Sequence, residues 1–161
     1  MRLIFSLMFA ASTLLAQTSP QAPTFRLPNT VRPEHYAVEL KLDPGEETFS
    51  GTVDIEIKIS SPTSLIWLNG ADLTVKQSSL KSAGKTLATK PVLGHEDFIG
   101  FVLDESVPAG NATLHIAYEG KVNSKSSAGI FRNKDANDWY LYTQFESIDA
   151  RRAFPCFDEP S

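Results

Sequence analysis

The sequence predicts an all-β protein, an antiparallel β-sandwich, and does so on three grounds. Apolar residues recur with a period of about two rather than 3.6, as in strands buried on one face. Clusters of Gly, Pro, Asn and Ser interrupt that alternation at regular spacing. No stretch between them carries a helical pattern, which favours antiparallel sheets over strand–helix–strand units. With 161 residues, 42% hydrophobic and 21% charged, the chain suits one ordinary globular core.

Along the chain, Tyr36, Val38, Leu40 and Leu42 alternate with Ala37, Glu39 and Lys41. After Pro44-Gly45, Val53, Ile55, Ile57 and Ile59 alternate with Thr52, Asp54, Glu56 and Lys58, and Ser60-Ser61-Pro62 closes the segment. Each segment has one wet and one dry face. Further strands are expected at Ser64 to Leu68, Leu73 to Ser78, Phe98 to Leu103, Ala112 to Tyr118 and Trp139 to Thr143. Asn69-Gly70, Gly84, Gly94, Pro108-Ala109-Gly110 and Gly120 supply the turns between them. The small and polar stretch from Val122 to Trp139 reads as an exposed loop. Within it, Gly129-Ile130-Phe131-Arg132 suits a short strand or the shoulder of a hairpin.

The first residues differ from the rest. Met1-Arg2 carries one positive charge, Leu3 to Leu15 is an almost unbroken apolar run, and Ala16-Gln17 ends it on a small residue, the layout of a secretory signal peptide. The run is shorter than the roughly 20 residues a membrane helix needs, so an uncleaved anchor is the lesser reading and membrane attachment is not expected. The expected organisation is a signal peptide at 1–16, a linker at 17–25 and one β-sandwich domain at 26–161. Export would place the protein outside the cell or in the cell envelope.

Composition and motifs exclude several functions. A net charge of −4 leaves no basic surface for phosphates, so nucleic acid is not an expected partner. His35, His95 and His115 are the only histidines, and none sits in H-E-x-x-H, so no metal ligand is assigned in this chain. No G-x-S-x-G elbow or Gly-rich phosphate loop is present, and no residue here is assigned a catalytic role. Asn111-Ala112-Thr113 matches a glycosylation sequon, but Asn111 is read as a turn residue. Cys156 is the only cysteine, so no internal disulfide can form, and between Pro155 and Phe157 it reads as a small buried hydrophobe.

The unusual segment is the last. Asp149, Arg151, Arg152, Asp158 and Glu159 crowd among Phe145, Phe154 and Phe157. Charges in such apolar company must pair, because an unpaired buried ion costs several kcal/mol (an order-of-magnitude value); an ion-pair corner bracing two packed elements is the expected role. Gln144 and Glu146, two apart on an extended segment, project to one side while Thr143 and Phe145 face the other. An amide beside a carboxylate can hold an ammonium group, although an exposed polar strand end fits the same two residues.

Thr143-Gln144-Phe145-Glu146 followed by Asp149-Ala150-Arg151-Arg152-Ala153-Phe154-Pro155-Cys156-Phe157-Asp158-Glu159-Pro160 resembles the signature of zinc aminopeptidases related to aminopeptidase N. Leu27-Pro28, Val31, Pro33, His35-Tyr36, Phe49-Ser50-Gly51-Thr52-Val53, Ile66, Leu68 and Asn69 resemble the opening strands of that family. The resemblance covers about Phe25 to Pro160.

The resemblance implies an N-terminal, non-catalytic, saddle-like β-domain of a metallopeptidase that removes N-terminal residues from peptides. Gln144 would line the pocket for the first substrate side chain, and Glu146 would help hold the free amino group. The family's G-x-M-E-N motif, H-E-x-x-H zinc helix, downstream glutamate ligand and transition-state tyrosine would all follow Pro160. Zinc is therefore expected on a catalytic domain downstream, and the chain alone is expected to be inactive. The rival expectations are a free-standing secreted sandwich used for binding and a relative that has lost its zinc ligands.

Overall fold

The computed structural model describes residues 20–95 and 97–158; the expected signal peptide, the first residues of the linker and Glu159-Pro160 of the C-terminal motif lie outside the described residues. The strands are β1 (Val31–Lys41), β2 (Thr48–Ile59), β3 (Thr63–Asn69), β4 (Leu73–Ser82), β5 (Lys85–Leu93), β6 (Phe98–Val107), β7 (Gly110–Lys121), β8 (Gly129–Asp135) and β9 (Asp138–Gln144). Among the described residues the one helical element is a short 3-10 turn, Asp149–Arg152.

Seven strands form one antiparallel sheet in the order β1-β2-β7-β4-β5-β6-β3, and β8 and β9 form a separate hairpin. The long sheet curls into two layers. Val53, Ile55, Ile57 and Ile59 of β2 and Leu114, Ile116 and Tyr118 of β7 share one buried cluster with Ile66 and Leu68 of β3 and Ile99, Phe101 and Leu103 of β6. Strands at opposite ends of the sheet order meet in one core only if the sheet folds over on itself. The architecture is the expected sandwich, and burial of these alternating residues is its main source of stability.

β2 and β7 follow the alternation closely, whereas β1 departs from it. Val38 is 39% exposed, because β1 is an edge strand whose dry face is only partly covered, and Leu42, just past its end, is 38% exposed. Asn111 is the second residue of β7 and pairs with Lys58, so it belongs to the strand and not to the turn before it.

β5 was not expected from the sequence. Its first half pairs with β4 through Lys85 to Ala88, and its second half pairs with β6 through Thr89 to Leu93. The strand thus passes from one layer to the other, so no face stays dry along it and no period-two signal arises. Pro91 falls in the half paired on one side only, where a missing N–H is tolerated. At the crossing point the buried Thr89 hydroxyl donates to the Ser78 hydroxyl at 2.6 Å, which satisfies two polar side chains inside the fold.

A second, smaller apolar cluster joins Leu27, Trp67 and Phe98, with Ala22, Val92 and Phe157 packed against it. The described end of the linker therefore lies on the outside of the β3–β6 layer. The Val122–Trp139 stretch, expected as a loop, contains all of β8 and the start of β9; its polar residues at 133–135 are simply the exposed tip of a hairpin.

Candidate functional site: the edge that carries Gln144 and Glu146

The hairpin register pairs Gly129 with Gln144, Phe131 with Tyr142 and Asn133 with Tyr140. Side chains alternate across the ribbon. Ile130, Arg132 and Leu141 turn toward the body of the domain, and Phe131, Tyr140, Tyr142 and Gln144 turn away from it.

Arg132 fixes the hairpin to the rest of the fold. Its guanidinium is buried and donates to the carbonyls of Pro44, Gly45 and Glu46 at 3.3, 3.1 and 3.2 Å, and to the Glu47 carboxylate at 2.8 Å. The same guanidinium stacks 4.3 Å from the centroid of the Trp139 ring. The Arg132 N–H also donates to the Asn123 carbonyl, and the Asn123 N–H donates to the Ile130 carbonyl, both at 2.9 Å.

Beyond β9 the chain turns sharply. Phe145 packs edge-on against Phe154, 6.1 Å between centroids, and its carbonyl accepts the Asp149 N–H at 2.9 Å. The inward Phe145 leaves Gln144 and Glu146 on either side of it, both exposed. The Gln144 side-chain carbonyl accepts the Glu146 N–H at 3.2 Å, and the Glu146–Ser147 peptide is cis. Among the described residues, no ion pair engages the Glu146 carboxylate. The structure thus leaves both residues exposed at the end of β9, joined by the hydrogen bond from the Glu146 backbone to the Gln144 side chain.

The neighbouring charges are used internally. Arg151 Nε donates to Asp158 Oδ2 at 3.1 Å, its Nη2 donates to the Asp158 carbonyl at 3.0 Å, and Asp97 lies 3.9 Å away. Arg152 pairs with Asp149 at 3.0 Å and with Asp72 at 2.6 Å. This is the ion-pair corner that the sequence suggested, completed by Asp72 and Asp97, which lie too far away in sequence to be recognised beforehand.

Asn69, expected at a turn and among the residues resembling the family's strands, also secures the C-terminal segment. Its backbone exchanges hydrogen bonds with Cys156, N–H to carbonyl at 2.8 and 2.9 Å, and its side-chain oxygen accepts the Asp158 N–H at 3.2 Å. The Tyr36 hydroxyl accepts the Phe157 N–H at 3.0 Å. Cys156 is buried, and burial pushes its thiol up to about 12, with Asp158 adding to the rise and Arg151 opposing it. The thiol is neutral at ordinary pH and packs as a small hydrophobe.

Among the described residues no three His, Cys, Asp or Glu side chains converge to hold a metal ion. His115 instead pairs with Asp54 at 2.7 Å on the outer face of the sheet.

The model of the peptidase M1 N-terminal domain matches residues 32–161. Aminopeptidase M1-D of Oryza sativa subsp. japonica is 34% identical over 145 residues, covering 84% of this chain and 16% of its own length. Aminopeptidase M1 of Arabidopsis thaliana is 40% identical over 147 residues with the same coverage, and aminopeptidase A of Gloydius brevicauda is 30% identical over 146 residues, 85% of this chain and 15% of its own. The chain spans about a sixth of the length of these curated relatives. With its strands, its C-terminal ion-pair corner and this match over most of its length, the chain belongs to the peptidase M1 N-terminal domain family.

Proposed function

We propose that this chain is the non-catalytic N-terminal domain of a secreted zinc aminopeptidase that removes N-terminal residues from peptides, and that Gln144 and Glu146 form one wall of its substrate site. The observation that carries this reading is the exposed pair at the end of β9, with a Glu146 carboxylate that no cation of the described residues neutralises. A free carboxylate beside an amide suits an α-ammonium group: the peptide's N-terminal ammonium donates a charge-assisted hydrogen bond to the Glu146 carboxylate. Gln144 sets the start of the Glu146 backbone and presents its amide toward the first side chain.

The described residues do not fit a metal ion. Zinc is assigned to a catalytic domain outside this chain, where it would activate the attacking water. The role of this domain is to bind and orient the substrate's free amine. The chain alone is expected to hydrolyse no aminoacyl-anilide. The apolar run from Leu3 to Leu15 supports export, with cleavage after Ala16, which N-terminal sequencing of the mature protein checks.

The decisive test is Glu146→Ala in the intact enzyme. Loss of a hydrogen bond to a charged group should raise KM for peptides with free amino termini by about 10- to 100-fold. The melting temperature should be unaffected, because the side chain is exposed. An unchanged KM would reject the amine-holding role.

A further inference from the structure

Resting on the amine-holding reading, we infer that the Gln144 face of the hairpin continues into a rest for the substrate's first side chain, built by Tyr142 stacked on Phe131. The two rings lie 5.5 Å apart at 24° between planes. Tyr142 stands on the same face of β9 as Gln144 and two residues before it, a separation of about 7 Å at the usual strand rise. That sets the aromatic pair directly beside the residue assigned to the first side chain, on the side of Gln144 away from the amine-holding Glu146.

The pair is made ready within the domain. Phe131 and Tyr142 are cross-strand partners in the hairpin register, so each ring holds the other, while Ile130 and Arg132 on the opposite face are buried. Tyr142 nevertheless remains 48% exposed and Tyr140, two residues further along the same face, 46% exposed. A preformed aromatic surface offers apolar contact at little cost in conformational freedom. No formal charge lies on this face between Gln144 and Tyr140, which favours a large apolar or aromatic first residue over a charged one.

The experiment compares phenylalanyl-, leucyl- and alanyl-anilides as substrates of the intact enzyme. Tyr142→Ala should lower kcat/KM for the phenylalanyl and leucyl substrates by about five- to tenfold and for the alanyl substrate by less than about twofold. Tyr142→Phe, which keeps the ring stack, should retain the original preference. A uniform loss on all three substrates, with or without a lower melting temperature, would overturn the proposal by showing that the stack braces a neighbouring domain instead. Unchanged kinetics would overturn it as well. Glu146→Ala, run in parallel, separates the two readings: if its KM is unchanged, the amine-holding reading itself fails, whereas a raised KM beside an unselective Tyr142→Ala removes only the side-chain rest.

Discussion

The side-chain carbonyl of Gln144 accepts the backbone N–H of Glu146 at 3.2 Å, so the first residue of the pair sets the direction in which the second leaves the strand. The contact fixes the backbone of Glu146 and leaves its side chain in solvent.

Gln144→Leu removes the acceptor and frees the Glu146 N–H to water. Because the pair is exposed, the cost in domain stability should stay within about 0.5–1 kcal/mol by urea denaturation. In the intact enzyme the same change should raise KM severalfold, while Gln144→Glu, which keeps an acceptor oxygen, should preserve the turn. Equal KM values for the Leu variant and wild type would show that the contact does not position Glu146.

Asn69 is 1% exposed, and its side chain holds the Asp158 N–H. Asn69→Ala leaves a void and a partly buried donor unpaired, for an expected loss of about 1–3 kcal/mol with little change in the denaturant slope. Hydrogen exchange should accelerate first at Asp158. A loss below about 0.5 kcal/mol would show that water replaces the clasp freely.

Gly51 faces Tyr118 across the β2–β7 ladder, and a β-carbon at Gly51 would come within 2.6 Å of the tyrosine hydroxyl. That hydroxyl is buried and has no hydrogen-bond partner among the described residues. Gly51→Ala should cost about 1–3 kcal/mol through overpacking. Tyr118→Phe alone should be neutral or stabilising, because it removes an unsatisfied polar atom, and it should recover part of the loss in the double variant. Strict additivity in this thermodynamic cycle would exclude the steric conflict.

Alkaline pH should unfold the domain progressively. Burial pushes the Cys156 thiol up to about 12 from an ordinary 9.0. It pushes the Tyr36 phenol up to about 12 from 10.0, although the hydrogen bond from Phe157 opposes that rise. Above pH 9.0 the unfolded thiol gives up its proton while the folded one retains it, so the unfolded state binds fewer protons and stability falls as pH rises. Urea midpoints should be level below pH 9.0 and decline from there toward 12, and in Cys156→Ala the onset should move to near pH 10.0, where the Tyr36 contribution begins. An onset that ignores the substitution would assign the decline to other groups.

β2 and β7 were legible because each keeps one face against the core throughout, so burial writes a period of two directly into the sequence. β5 was illegible for the opposite reason: it changes layer midway, and only Thr89 along it is buried. β8 was recognised only in part, because its second half, Asn133 to Asp135, is an exposed tip with the composition of a loop. For Gln144 and Glu146 the spacing left an exposed polar strand end equally open, and in the structure the strand stops at Gln144, so that Glu146 lies in the turn beyond it. The roles of Asp72, Asp97 and Asn69 could not be read, because they depend on contacts with residues 54 to 89 positions away.

Arg132 gives the turn at Pro44 to Glu47 an influence that its sequence position conceals. The ribbon bearing Gln144 is a lever whose fulcrum is one guanidinium clamped by three carbonyls of that turn. Lengthening or stiffening the turn would tilt the lever and carry the amide and carboxylate with it, with no residue of the turn touching a peptide. The placement of Gln144 and Glu146 is open to adjustment from a surface bend almost a hundred residues upstream of them.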